Sequence, residues 1–300
     1  MKIKKIVFAG MFLIAGLTVT SAQVKLSFNP DAGSNYEYRT EIVQNIKQSA
    51  MGREMPVEET VTMGFQMNVK SKNTQGVEAF FTYRDASYYL SSPMIKMGYD
   101  SKKSTENPND LEKLLGKIFG GVVGKNFTLN VASDGKINTV SGVDAITGEI
   151  KKSVANDEVD KQTKLSDSEI SQWLGEDALK GMFEQSFRIF PDKEVKIGDN
   201  WVIESSYGIS NKKTKTKTVY ILKSIADGIA TVSSTATVEM EPSGGAEGTL
   251  NGGQAGEILV DVKTGIPVSS DLTLNIKGNV KMHQMDMQME MAAKIKTTIK

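Results

Sequence analysis

Hydrophobic residues in this chain recur with one period towards both ends and another in the middle, and that change of period limits the fold more than any motif does. Val61, Met63, Phe65, Met67 and Val69 alternate with Thr60, Thr62, Gly64, Gln66, Asn68 and Lys70. Successive side chains of a strand point to opposite faces, so this run has one dry and one wet face, as antiparallel sheets do. Tyr36, Tyr38, Thr40 and Ile42 share a face before it, and Val77 to Tyr83 alternate after it. Past residue 107 the spacing lengthens. Leu111, Leu114, Leu115, Ile118 and Phe119 fall at i, i+3, i+4, i+7 and i+8, one stripe of an amphipathic helix. Asn107 reads as its cap, Pro108 as its first turn and Gly120-Gly121 as its stop.

A hairpin turned by Asp134-Gly135 follows, joining Phe127–Val131 to Lys136–Val140. Val143, Ile146, Ile150 and Val154 predict a second helix. The capping box Ser166-Asp167-Ser168-Glu169 opens a third helical region, with Ile170, Trp173 and Leu174 and then Leu179, Met182, Phe183, Phe187 and Phe190. Pro191 closes that region, because it lacks an N–H and clashes with the preceding turn. Val195, Gly198, Asp199 and Trp201 then form a V-x-x-G-D-x-W joint that clamps the helical part to the strands beyond. Asp199 and Trp201 as part of a ligand site is the functional alternative; a Gly-Asp turn is the structural one.

Period two returns at Trp201, Ile203, Ser205 and Tyr207, then in Thr214–Ile225, Ile229–Met240, Gly256–Val262 and Val268–Ile276. Gly278-Asn279 reads as a turn or bulge into the last strand, and the glycine-rich 244–256 as a loop. Lys212, Lys213, Lys215 and Lys217 alternate with threonines, as on a protected edge strand. The fold expected is α+β: a mainly antiparallel curved sheet or half-barrel of about ten strands, with about three helices inserted between the two sets of strands. Strands occupy 35–100, the helical middle 107–190 and the second strand set 201–299, all within a single domain, 23–300.

Residues 1–22 carry a different signal. Lys2, Lys4 and Lys5 precede an apolar Ile6–Leu17 run and a small-x-small Thr20-Ser21-Ala22, the layout of a secretory signal peptide. Export to the periplasm or beyond is therefore expected, with no later run long enough to cross a bilayer as a helix. Without that leader, 33 basic face 36 acidic side chains, a formal −3, too balanced for a nucleic-acid partner. Cysteine is absent, which removes disulfides, thiolate metal sites and a cysteine lipid anchor.

The catalytic inventory is short. One histidine, no cysteine, no G-x-S-x-G and no H-E-x-x-H leave no assembled nucleophile or zinc motif. No carboxylate reads as standing in an apolar context that would raise its pKa, and Asn156-Asp157-Glu158 with Asp160 misses calcium-loop spacing. A non-enzymatic protein without cofactor is expected. The unusual stretch is His283 with Met285, Met287, Met289 and Met291, all on one side of a strand. Thioethers and imidazole suit Cu(I), but alternate residues lie roughly 7 Å apart. A polarisable apolar face explains the same pattern. Met63, Phe65, Met67, Trp201, Met285, Met287 and Met289 are the candidate contacts for a hydrophobic ligand.

The order of strands, helical middle and returning strands behind a leader resembles the half-barrel of periplasmic lipoprotein carriers. The Val195–Trp201 joint is similar to uncharacterised secreted domains of Gram-negative bacteria. The first resemblance implies a curved sheet holding acyl chains under a helical lid, hence a lipid or other hydrophobic partner. Two alternatives stay open: a structural or protein-interaction domain whose core is solid, and a methionine-rich Cu(I)-binding protein.

Overall fold

Antiparallel pairing builds most of the described chain. The computed structural model describes residues 23–300 apart from 51–52, 105, 156–169, 172–173, 210–211, 243–245 and 283–284. The expected leader, the Ser166–Glu169 capping box, Trp173, His283 and the acidic 156–160 segment lie outside the described residues. The strands before the helices are β1 (Asn35–Ala50), β2 (Arg53–Asn73), β3 (Gly76–Ser91) and β4 (Lys96–Asp100). Helix α1 (Asp110–Leu115) runs on into a wider turn over Gly116–Gly120; β5 (Asn126–Val131) and β6 (Ile137–Ser141) follow, then α2 (Val143–Ala155) and α3 (Glu176–Phe187). The second set comprises β7 (Asn200–Ile209), β8 (Lys212–Ala226), β9 (Ile229–Met240), β10 (Glu247–Gly248), β11 (Leu250–Asp261), β12 (Pro267–Met282) and β13 (Met285–Ile299).

All belong to one 13-stranded sheet, in the order β6-β5-β3-β2-β1-β13-β12-β11-β9-β8-β7, with β4 beside β3 and β10 beside β12. The first and last strands lie together at its centre, in register from Tyr38 opposite Ile299 to Ser49 opposite Gln288. The expected fold is thus observed: an open, curved antiparallel sheet with, among the described residues, α1, α2 and α3 between its two strand sets. The curvature has a direct sign. Edge strands β6 and β7 are as far apart as the sheet order allows, yet α3 touches both. Glu184 Oε1 accepts the Ile137 N–H at the start of β6, at 3.2 Å. On the other side Gly181 passes the Tyr207 ring of β7 so closely that a Cβ would lie 3.2 Å from it. The sheet therefore wraps around α3, and the helix contacts both edge strands.

Phe183 of α3 is the centre of the core. It is fully buried, with ring centroids at 5.0 Å from Tyr38, 5.5 Å from Phe65, 4.6 Å from Phe81 and 5.8 Å from Phe127. The joint after α3 clamps as its residues suggest. Trp201 Nε1 donates to the Ile189 carbonyl at 2.9 Å, its ring stacks on Tyr220, and Phe187, Phe190 and Val195 are buried around it. The Asp199 carboxylate accepts the Lys196 N–H and so closes its own turn. A second apolar cluster lies farther along the same face of β13 and includes Met287, Met289, Val280, Ile276 and Leu274.

Several local expectations are corrected. The α1 cap is Asn109, which shares a full capping box with Glu112; the Asn107 backbone has φ of 52° and cannot start a helix. The lead-in is not simply polar: Leu26 and Phe28 are buried and Val24 bridges Val195, a period-two pattern (Val24, Leu26, Phe28) short enough to escape notice. Most of the glycine-rich segment is strand. Its glycines serve close approach, since a Cβ on Gly252 or Gly256 would overlap the Asn275 or Asp271 carbonyl oxygen of β12. The lysine-rich start of β8 is not on an edge, because β7 lies outside it; Lys215 pairs with Glu239 and Lys217 with Glu204 across the strands. Gly278 and Asn279 do not turn the chain but sit within β12, opposite Met289 and Gln288. Strand β12 runs to Met282 and β13 starts at Met285, which puts Val280 opposite Met287 and on the same face as it.

Candidate functional site

Where α3 crosses the sheet, packing is incomplete. A cavity of about 420 Å³ separates the helix from β1, β2, β12 and β13. The sheet supplies Ile42, Val61, Met63, Leu272 and Ile295, and the helix supplies Ala178, Leu179, Gly181 and Met182. Pairing explains the wall: Ile42 lies opposite Val61 on one side and Ile295 on the other, so three branched side chains line up across three strands. Phe119 reaches it beside Tyr88, their rings stacked at 5.1 Å. Ala178 and Gly181 of the helix border this space beside Leu179 and Met182, while its largest residues, Phe183 and Phe187, pack into the aromatic core.

The polar groups sit at the ends and sides of this apolar stretch. Tyr38 Oη and Ser186 Oγ share a hydrogen bond at 2.7 Å, and Thr297 lies 3.5 Å from Thr40. Gln185 Nε2 donates to Tyr207 Oη at 2.9 Å. At the opposite end Gln44 donates to the Glu59 carboxylate. Burial pushes the Tyr38 phenol up to about 12, against hydrogen bonds with Ser186 and Thr297 that lower it. Burial likewise pushes Tyr207 up to about 12. Tyr88 is raised by burial first, then by the charge of Glu59 and a hydrogen bond to it. These hydroxyls therefore stay neutral at physiological pH and offer hydrogen bonds only.

A larger depression of about 690 Å³ lies by β4 and α1, but Glu58, Lys96, Asp100, Lys103 and Glu112 line it. Its charges are open to water and partly paired, as Lys103 is with Asp100 at 3.3 Å. Tyr89, Leu90, Met97 and Tyr99 share that lining, so its wall mixes charged and apolar groups. Among the described residues no group of three His, Cys, Asp or Glu side chains could hold a metal ion. No described helix is long and apolar enough to cross a membrane.

Of the candidate contacts, Met63 lines the cavity. Phe65 and Met67 continue its face of β2 into the solid core, and Trp201 is buried in the joint. Met287 and Met289 are buried in the second cluster, whereas Met285, at the start of β13, is 45% exposed. Met291 does reach the cavity. The helix residues and Glu59 are additions that alternation alone does not reveal. Glu59 is the carboxylate among them: it shares the face of Val61 and Met63. The signal was present, since Glu58 and Glu59 are adjacent and a strand turns one of two neighbours inward.

Residues 75–267 match a family of unknown function, DUF6263. No curated protein matches the sequence. Solved structures with some likeness include one of lipid–protein interactions in lipovitellin, at 9% identity and a TM-score of 0.46, covering 91% of this chain and 26% of that one. This chain thus spans about a quarter of the lipovitellin chain. Pseudomonas aeruginosa OccK7 (OpdD) follows at 7% identity and a TM-score of 0.24, over 89% and 99% of the two chains. A DUF1329 protein from Desulfovibrio piger has 10% identity and a TM-score of 0.13, over 88% and 85%. None of these reaches the similarity at which a shared fold follows.

Proposed function

The chain belongs to DUF6263, a family of unknown function, and we propose that this member is an exported, non-enzymatic protein that binds a hydrophobic ligand in the cavity beneath α3. One observation carries the reading: the space between helix and sheet is walled by aliphatic and thioether side chains where a packed core would be continuous. Its volume of about 420 Å³ falls within the roughly 300–1,000 Å³ of small-molecule sites. Met63, Met182 and Met291 give the wall unbranched, polarisable arms that adapt to chains of different shape. The leader supports export, and the short catalytic inventory supports binding without turnover.

Titration with the uncharged dye 1-N-phenylnaphthylamine tests this. Saturable binding at one site is expected, lost when Ile42→Trp fills the cavity from the sheet or Ala178→Trp from the helix. Circular dichroism should show both variants folded. A wild type that binds no dye, or binding that both variants leave intact, contradicts the proposal in favour of a domain whose core is effectively solid.

A further inference from the structure

The charge in this cavity is one-sided. No Lys, Arg or His is among its described lining residues, and its one ionisable acid is Glu59. Glu59 stands opposite Gln44 in the β1–β2 register and takes a hydrogen bond from the Gln44 amide. The Tyr88 hydroxyl faces it from β3 and is also hydrogen-bonded to it. A carboxylate has about four lone-pair positions, so these two donors leave acceptor capacity free. The other polar end differs. There the Tyr38 and Ser186 hydroxyls share a hydrogen bond, Ser186 Oγ also reaches the Met182 carbonyl, and Thr40 meets Thr297. The two ends are separated by the apolar stretch of Val61 and Met63, roughly 13 Å along the strand from residue 59.

From this asymmetry we infer that the cavity takes a long-chain lipid whose polar end donates hydrogen bonds and carries no negative charge, with Glu59 setting that choice. A hydroxyl, amide or amine fits. A free fatty-acid carboxylate would meet a second anion with no Lys, Arg or His among the described lining residues to offset it. The inference rests on the cavity reading above and adds the chemical class of the ligand. It also makes Glu59 a specificity residue, held in place by Gln44 and Tyr88.

Displacement of 1-N-phenylnaphthylamine by 1-tetradecanol, tetradecylamine and tetradecanoate at pH 8 separates the possibilities. Wild type is expected to take the alcohol and the amine at least about tenfold more tightly than the acid. Glu59→Gln keeps the shape and removes the charge. It should bring the acid up about tenfold, weaken the amine and leave the alcohol within roughly threefold. Equal binding of acid and alcohol by wild type, or an unchanged acid-to-alcohol ratio in Glu59→Gln, overturns the selectivity while the cavity reading stands. Failure of all three ligands and of the dye to bind overturns both.

Discussion

Asp85 shows how a single residue ties the outer face of the sheet together. A bulge between β2 and β3 places it opposite Gly64, whose missing side chain leaves room for the carboxylate. Arg39 Nη1 approaches it at 2.7 Å and Lys102 Nζ at 2.8 Å. Desolvation pushes its carboxyl up, but the hydrogen bonds and charges of Lys102 and Arg39 outweigh that and hold it below the usual range. A folded pKa below the unfolded value of about 3.9 adds stability above that pH, and the stability is lost as pH falls through the folded value. Asp85→Asn should therefore cost about 1–2 kcal/mol at pH 7, the half-exposed cations limiting the loss, and denaturant midpoints of the two proteins should converge in the acid range below about pH 4. A gap that persists at low pH contradicts this. Met287 carries a second prediction, because it is buried against Val280 with no acid in its cluster. Met287→Lys should cost roughly 2–4 kcal/mol, Met287→Leu under about 1.5, and Cu(I) under reducing conditions should leave the wild-type melt unmoved. A copper-induced rise that Met287→Lys abolishes would instead support a metal stripe. Alternation places Met63, Phe65 and Met67 on the inner face, but it does not say which of them borders empty space. Met63 does so in a space that α3 lines from the other side with Ala178, Leu179, Gly181 and Met182, a fact of tertiary packing that β2 does not encode.

Among the elements, α3 has the most to do. Phe183 and Phe187 fill the core, Ala178, Leu179, Gly181 and Met182 roof the cavity, and its length bridges the two edge strands. Phe183→Ala removes the ring shared by Tyr38, Phe65, Phe81 and Phe127 and should cost about 3–5 kcal/mol. Because α3 contacts both edge strands, hydrogen exchange should speed up in β6 and β7 as well as in the helix; acceleration confined to α3 contradicts that coupling. The elements were legible wherever period and punctuation agreed. Leu114, Leu115, Ile118 and Phe119 are buried as their helical spacing requires, and the Asp134-Gly135 and Asp227-Gly228 turns fall between strands. Legibility failed where backbone proximity outranks propensity. Gly252, Gly256 and Gly278 look like loop residues, yet β11 and β12 need them because neighbouring carbonyl oxygens occupy the space a side chain would take.

For the molecule as a whole, the sheet is rolled without closing. Its end strands meet a helix instead of each other, and a space remains between that helix and the sheet. Pairing of β1 with β13 makes the roll depend on both ends of the described chain, so the helical middle is an insertion into a sheet rather than a separate unit. Nothing in the linear pattern distinguishes a lined cavity from a filled core, because the same aliphatic and methionine residues build both. The most direct test is native mass spectrometry of the protein purified without detergent, with organic extraction of whatever it carries. The account predicts a folded species heavier than the polypeptide by one lipid-sized ligand, with the excess absent from Ile42→Trp. A wild-type mass equal to the bare chain, unchanged after incubation with tetradecanol, would contradict it.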